Sequence, residues 1–440
     1  MPNQISEIDL EALRATWPAL SDEERAEAFS LLGEDDAHTF FASLTPADQA
    51  GILKHLPNGR AAIWMRMLAP DDAADVLQES DAEQRKRLEA MLPEPTRREV
   101  QALLAYAEDD AGGLMSPRYV RLRPDVTIEV AIRYLRQQIR KNPETLYYVY
   151  VLDAEQRLLG VISFRELFAA PGDALVADVM RRDPITVHEA TDQEEVARII
   201  ETNDLLALPV VDDEGRVKGI VTVDDIVDVI QEEATEDIQK IGGTEALRAP
   251  YLDVSFPAMI KKRGGWLSVL FFGELLTTVV MGYFEQEIAQ AVVLALFVPL
   301  IISSGGNSGS QATTLIIRSM ALAELRLRDW WRVIRRELGS GLTLGTWLGL
   351  IGFLRVVLWH NAGWANFGEH HVLLGLTVWL SLIGVVSLGT LAGSMLPFLM
   401  RLLGFDPAVS SAPFVATLVD VTGLIIYFSI AAVVLRGTLL

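Results

Sequence analysis

The feature that most constrains this chain is a set of long apolar stretches confined to residues 264–440. Five of them, near 265–284, 288–317, 338–358, 372–400 and 410–436, are long enough to cross a hydrocarbon core of about 30 Å, which takes about 20 helical residues. A lipid-facing segment must satisfy its own backbone, so each reads as a transmembrane helix. Residues 264–440 hold nine acidic and nine basic side chains, so the whole net charge of −21 belongs to residues 1–263. An acidic soluble part therefore precedes a membrane part. Such acidity argues against nucleic acid as a partner and favours cations. The chain has no cysteine, which removes disulfides and thiolate metal sites. Met1–Glu11 is acidic and has no apolar stretch, so no signal peptide is expected and the soluble part is expected to stay in the cytoplasm.

Orientation follows from the basic residues. Lys261, Lys262 and Arg263 precede the first span, Arg318, Arg326, Arg328, Arg332, Arg335 and Arg336 separate the second from the third, and Arg401 separates the fourth from the fifth. The remaining two loops carry Glu285, Glu287, His360, Glu369, His370 and His371. A cytoplasmic N-terminus puts each basic loop inside, and five spans then put the C-terminus outside. Trp266, Tyr283, Trp330, Trp331, Trp359 and Trp364 near the span ends fit either interfacial anchoring or ordinary packing.

Ionisable groups inside a bilayer are costly and point to function. Asp420 falls about ten residues into the fifth span, roughly at mid-bilayer at about 1.5 Å per residue. Thr417 and Gly423 share its face at i−3 and i+3. Small and hydroxyl neighbours there suit a wet path; a carboxylate bonded to a neighbouring helix is the other reading. Glu274 lies inside the first span and reads as an interhelical hydrogen bond or a second ion contact. Ser303–Gln311, with Gly305, Gly306, Asn307, Gly309 and Gln311, is expected to interrupt the second span and expose carbonyls to a hydrated cation, because irregular backbone at that depth must line a cavity. The alternative is close packing of helices at glycine.

The soluble part contains a repeat. Tyr147–Ser163 matches Leu206–Thr222 in register, each copy reading strand, turn, strand, helix, and the preamble Met115-Ser-Pro returns at Met180–Pro184. This pattern is similar to a tandem of CBS domains, β-α-β-β-α units that pair and often bind adenine nucleotides. The resemblance implies Tyr148, Glu166 and Thr222 as nucleotide contacts. Copy two carries Gly219, Thr222 and Asp225 where such domains clamp a ribose, whereas copy one carries Ser163 and Glu166. Residues 1–110 read as a stacked helical bundle, with apolar positions such as Leu44, Ile52, Leu53 and Leu56 at helical spacing and proline turns after Leu44, Leu68 and Leu92. Residues 252–263 read as a connecting helix at the membrane surface.

The domain order, together with Gly-Gly-Asn-x-Gly-x-Gln at 305–311 and Ala-Thr-x-x-Asp-Val-Thr-Gly at 416–423, resembles the MgtE family of bacterial magnesium channels over about residues 30–436. The expected fold is a multidomain membrane protein: an all-α N-terminal bundle (1–114), an α/β CBS-domain pair (115–179 and 180–239), a connecting plug helix (240–263) and an α-helical transmembrane domain of five spans (264–440). The resemblance implies a homodimer in the cell inner membrane with its pore on the two-fold axis, lined by the second and fifth spans, Thr417 among the lining residues. It implies Asp420 and Ala416 as pore ligands and Asp406 as the acid at the cytoplasmic mouth. It implies Asp71 and Asp75 in the helical part, and Glu194, Asp204, Asp225, Asp228, Glu233, Glu236 and Asp237 further on, as sensor carboxylates. Two departures stand at Thr39 and Ala412, where relatives carry an acid and an asparagine.

The function so implied is Mg²⁺ uptake through a channel closed by cytosolic Mg²⁺, with Mg²⁺ as substrate and regulator and ATP or another adenine nucleotide as ligand of the CBS pair. A carrier of Mg²⁺, Co²⁺ or Mn²⁺ coupled to H⁺ or Na⁺ is the alternative. An anion channel is disfavoured by the intramembrane acids. No nucleophile–base pair or phosphate loop suggests an enzyme.

Overall fold

The computed structural model describes residues 10–138, 147–247, 251–252 and 254–439. The chain divides into two units, Met1–Glu233 and Ala234–Leu440.

The first unit opens with eight helices: α1 (Leu10–Thr16), α2 (Asp22–Ser30), α3 (Glu34–Ala42), α4 (Pro46–His55), α5 (Asn58–Met67), α6 (Pro70–Gln78), α7 (Ala82–Glu89) and α8 (Glu94–Leu103). Their starts are set chemically. Ser21 and Glu24 form a reciprocal cap on α2, and Thr45 and Asp81 accept from the first-turn amides of α4 and α7. Proline opens α4, α6 and α8, where its missing N–H costs nothing. Trp17, Phe29, Phe40, Phe41, Ile52, Leu53, Met65 and Leu77 fill the core, which runs on without a break into Val196, Ile200, Leu208, Val221, Ile226 and Val229 of the second repeat. The bundle and that repeat therefore fold as one body.

A short α9 (Ala111–Leu114) leads into copy one: β1 (Arg121–Leu122), α10 (Ile128–Gln138), β2 (Tyr148–Leu152), β3 (Leu158–Ser163) and α11 (Phe164–Ala169). After α12 (Val176–Val179) and β4 (Arg181–Arg182) comes copy two: β5 (Val187–His188), α13 (Gln193–Thr202), β6 (Ala207–Val211), β7 (Val217–Thr222) and α14 (Val223–Ile241). The sheets run β1-β2-β3-β4 and β5-β6-β7. Both hairpins keep one register, Tyr148 opposite Ser163 and Ala207 opposite Thr222, with a bulge at the same place. Each copy borrows the other's preamble. Arg181 and Arg182 pair with β3, while Ser116 exchanges backbone hydrogen bonds of 2.7 and 2.9 Å with Ile220 of β7. Gly160 and Gly219 make this exchange fit: a Cβ on Gly160 would lie 2.6 Å from the Arg181 carbonyl oxygen, and one on Gly219 2.7 Å from that of Ser116.

The second unit takes the last turns of α14 and then α15 (Phe256–Tyr283), α16 (Glu285–Gln290), α17 (Val298–Ala321), α18 (Trp330–Asn361), α19 (His371–Leu402) and α20 (Ala412–Val434). Five helices, or helices with a 3₁₀ lead-in, are long and apolar enough to cross a membrane: Phe256–Tyr283, Val292–Ala321, Leu327–Asn361, His371–Leu402 and Ala412–Val434. The five expected spans are there. α19 is central and α15 peripheral, with no buried residue in the single chain. α18 meets α19 backbone to backbone through Gly341, Gly345 and Gly349, whose added Cβ atoms would fall within 3 Å of Ser387, Ile383 and Trp379.

Two expectations fail locally. The connecting helix expected at 252–263 is no separate element: from Phe256 it is continuous with the first span, and the Gly264–Gly265 pair is carried inside the helix because unsatisfied backbone in lipid costs more than two helical glycines. Nor do residues 303–311 interrupt the second span. α17 runs regularly through them, and the irregular backbone lies earlier, at Ala291 and the 3₁₀ turn Val292–Phe297. Gly305 and Gly309 are instead close-packing residues. Added Cβ atoms there would meet Val385 and Val419 at 2.5 and 2.7 Å, and Val415 and the Gly389 carbonyl oxygen at 2.8 and 3.0 Å.

Candidate functional site

In the membrane part the site is built on α17, α20 and α15. Ser411 caps α20, accepting from the Phe414 amide, and Pro413 follows in the first turn. Asp420 lies two turns further on, half-buried, with Ala416 and Thr417 on its side of the helix. Gly306 of α17 is the neighbour that leaves room: a Cβ there would sit 3.4 Å from Ala416 Cβ and 3.8 Å from Asp420 Oδ1. Gly273 of α15 meets Thr417 Cγ2 in the same way at 2.8 Å, and the next residue in α15 is Glu274. Gly306 thus faces the carboxylate, whereas Gly305 and Gly309 turn into the helix contact.

α17 carries a polar stripe. Ser303, Asn307, Gln311 and Thr314 are spaced one turn apart and exposed in the single chain, and the Asn307 amide donates to the Ser303 hydroxyl at 3.4 Å. Such a stripe in a membrane helix must face protein or water rather than lipid. At the segment before α20, Asp406 accepts from the Ala408 amide at 2.8 Å and from Lys240 Nζ at 2.7 Å. Lys240 also pairs with Glu236, one turn back on α14. Asp237 has its carboxyl pushed up to about 6, chiefly by burial and then by Asp406.

In the first unit, seven carboxylates gather along α6 and α14: Asp71, Asp72, Asp75, Asp224, Asp225, Asp228 and Glu232. Burial pushes Asp75 well up, with Asp71, Asp72, Asp225 and Glu232 adding to it. Burial likewise raises Asp72, Asp228 and Glu232, and takes Asp225 to about 6 although the Thr222 hydroxyl donates to it at 2.5 Å. The charges that act on Asp72, Asp75, Asp225, Asp228 and Glu232 are themselves acids. Sequence reasoning found Asp71, Asp75, Asp225 and Asp228 but not Asp72, Asp224 and Glu232; the runs Asp71-Asp72 and Asp224-Asp225 were the available signal. Among the described residues, no three His, Cys, Asp or Glu side chains close on one point as metal ligands do. Glu233 accepts from Gln193 Nε2 at 2.5 Å. Glu194 and Asp204 sit at the two ends of α13, and neither is among the charges acting most strongly on Asp72 or Asp75.

Of the expected nucleotide contacts, Tyr148 and Glu166 lie in copy one and Thr222 in copy two, where it takes the place that Ser163 has in copy one. Tyr148 lies opposite Ser163, which caps α11 reciprocally with Glu166, and Glu166 is also held by Arg181 Nε at 2.6 Å. Thr222 and Asp225 repeat the arrangement at the head of α14.

A family model described as a divalent cation transporter matches residues 298–430, one for the MgtE intracellular N domain matches 9–109, and one for the CBS domain matches 111–173 and 176–232. The chain is similar to the magnesium transporter MgtE of Thermus thermophilus, 42% identical over 98% of this chain and 94% of that protein. It is 31% identical to the magnesium transporter MgtE of Bacillus subtilis, over 97% of this chain and 92% of that one. Among solved structures it is similar to the cytosolic domain of the Mg²⁺ channel MgtE in complex with ATP, with 43% identity and a TM-score of 0.47 over 51% of this chain and 92% of that one. The intracellular bundle, the paired repeats and the five apolar helices all lie within one alignment to these transporters, none of which is an enzyme, and on that ground the chain belongs to the MgtE family of magnesium transporters.

Proposed function

We propose that this chain forms a homodimeric, Mg²⁺-selective channel that takes up magnesium across the cytoplasmic membrane and is closed by cytosolic Mg²⁺. The observation that carries the gating part is the gathering of acids between α6 and α14, whose pKa values burial and mutual repulsion hold high. Such a group holds its negative charges against burial and their own repulsion, a strain that a bound cation relieves. An all-oxygen carboxylate set fits Mg²⁺, a hard ion. Asp71, Asp75, Glu194, Asp204, Asp225, Asp228, Glu233, Glu236 and Asp237 are the sensor residues of this reading. The N-terminus is cytoplasmic and the C-terminus outside.

In the pore, Asp420 supplies the charge and Ala416 a backbone carbonyl one turn before it. Gly306 keeps the space beside them open, and the stripe of Asn307 and Gln311 offers hydrogen bonds to the water that Mg²⁺ retains. A second copy facing this surface puts two Asp420 carboxylates around one divalent ion: entry is favourable and exit still attainable. Tyr148, Glu166 and Thr222 are the contacts for an adenine nucleotide at the CBS pair. A carrier coupled to H⁺ or Na⁺ is the second reading; Glu274, a further intramembrane carboxylate one residue after the Gly273 that meets Thr417, favours it.

The test is divalent flux into liposomes with the full chain and with residues 1–250 deleted. The full chain is expected to close at millimolar Mg²⁺ on the cytoplasmic face and the truncated one to conduct throughout. Closure of both at one concentration would put gating in the membrane part. Flux that vanishes when the proton or sodium gradient is collapsed would favour the carrier.

A further inference from the structure

We infer that Lys240 is a tethered cation that competes with Mg²⁺ at the cytoplasmic mouth and so sets the concentration at which this chain responds. The inference rests on the gating just proposed. Its ground is a contact between the last turn of α14 and the segment before α20. Glu236 and Asp406 both bond the Lys240 ammonium, and Asp406 is also the neighbouring charge that acts most on Asp237, so the cation among these acids is supplied by the chain itself. Lys240 Nζ is 2.7 Å from Asp406 Oδ2, bonds Glu236 on its other side, and keeps only 27% of its side chain exposed. A Lys–carboxylate pair at i,i+4 on one helix is ordinary surface chemistry. A second carboxylate partner for Lys240, 166 residues away in sequence, is not.

The geometry holds the ammonium there. Gly243, with φ +75°, ends α14 and packs against Trp266 and the ring of Pro413, 3.0 and 3.2 Å from where a Cβ would sit. The Trp266 indole donates to Ser411, the residue that caps α20. Lys240 is therefore anchored beside Asp406 by packing as well as by charge. An ammonium and a hydrated divalent ion seek the same carboxylate oxygens. A cation reaching Glu236, Asp237 or Asp406 must displace Lys240, and its affinity falls by what the ion pairs are worth. When it does displace Lys240, α14 loses its ionic hold on Asp406, so binding and the release of this contact are one event.

The test uses the full-length chain in detergent, with Lys240→Met and Lys240→Arg beside the parent, and reads protease protection of residues 231–263 against Mg²⁺ concentration. The Lys240→Met variant is expected to reach half-protection at roughly fivefold less Mg²⁺, the worth of a partly exposed pair, and Lys240→Arg to stay near the parent. Hydrogen exchange over 234–247 without Mg²⁺ should rise in Lys240→Met alone. An unchanged midpoint with normal protection overturns the inference and leaves the gating reading standing. A midpoint moved upward makes Lys240 a support of the Mg²⁺-bound state and also overturns it. If neither parent nor variants are protected, the sensor reading fails and takes this inference with it.

Discussion

Asp225→Asn should make the Mg²⁺-free protein more stable, though it removes a charged side chain with a good hydrogen bond. Burial takes the Asp225 carboxyl to about 6. A folded value above the unfolded one adds stability below the unfolded pKa, and that stability is lost as pH rises through about 6. The distance from 3.8 to about 6 corresponds to roughly 3 kcal/mol at ~1.4 kcal/mol per tenfold change. Partial solvent contact trims this to about 2 kcal/mol. Asparagine keeps an oxygen to accept from Thr222, so most of that strain should be recovered. For a unit of this size the gain is about 4–8 °C in Tm at pH 7.5. The assay is thermal unfolding of the full chain in detergent with EDTA, the soluble part followed by proteolysis along the ramp, at pH 5 and 7.5. The parent should lose stability between those pH values without Mg²⁺ and regain it with Mg²⁺ at pH 7.5 only. The Asn variant should show a flatter pH profile and a smaller Mg²⁺ response. A parent equally stable at both pH values, or an Asn variant less stable at pH 7.5 in EDTA, would refute the account of strained carboxylates.

Asp420→Asn keeps the shape of the pore residue and removes its charge; divalent flux in liposomes should fall at least about tenfold with the elution profile unchanged, the scale of losing a charge-assisted contact. Gly393→Val should destabilise the membrane part by about 1–3 kcal/mol or more, since its Cβ would fall 2.2 Å from the Gly309 carbonyl oxygen, while Gly264→Ala, with nothing within 4 Å, should melt like the parent in a detergent-stability assay.

Much of this architecture was legible because local chemistry and global fold agree. Pro46, Pro70 and Pro95 mark helix starts, and the repeat gave both hairpins in register. The apolar stretches located five spans, but their ends are displaced by up to about eleven residues, chiefly because the first and third helices begin well before their apolar stretches. The glycine segment misled because composition does not tell which side of a helix a glycine faces. Gly306 looks toward Asp420 while its neighbour Gly305 looks into Val385, and only the packing of α19 decides between them. Lys240 was invisible for a related reason: its partner Asp406 is far along the chain, and neither residue is unusual in its own surroundings.

The exchange of preambles between the two repeats carries a consequence for the order in which the chain is assembled. As the polypeptide leaves the ribosome, the open edge of β3 waits only for Arg181 and Arg182, which follow soon after. Ser116 has a longer wait. Its partner Ile220 is made about a hundred residues later, during which time the segment has no strand to pair with and the helical bundle lacks the second repeat that completes its core. Copy one, with its own core and its β3 edge closed by Arg181 and Arg182, can be finished early, whereas the bundle is sealed only when β7 arrives. The first unit is closed from its C-terminal end, so α14 is the last soluble helix to be seated, and the first hydrophobic span follows directly behind it. Insertion of that span and closure of the acidic unit must then fall close together in time, and a pause in synthesis between β6 and β7 would leave the longest-lived unpaired edge in the molecule.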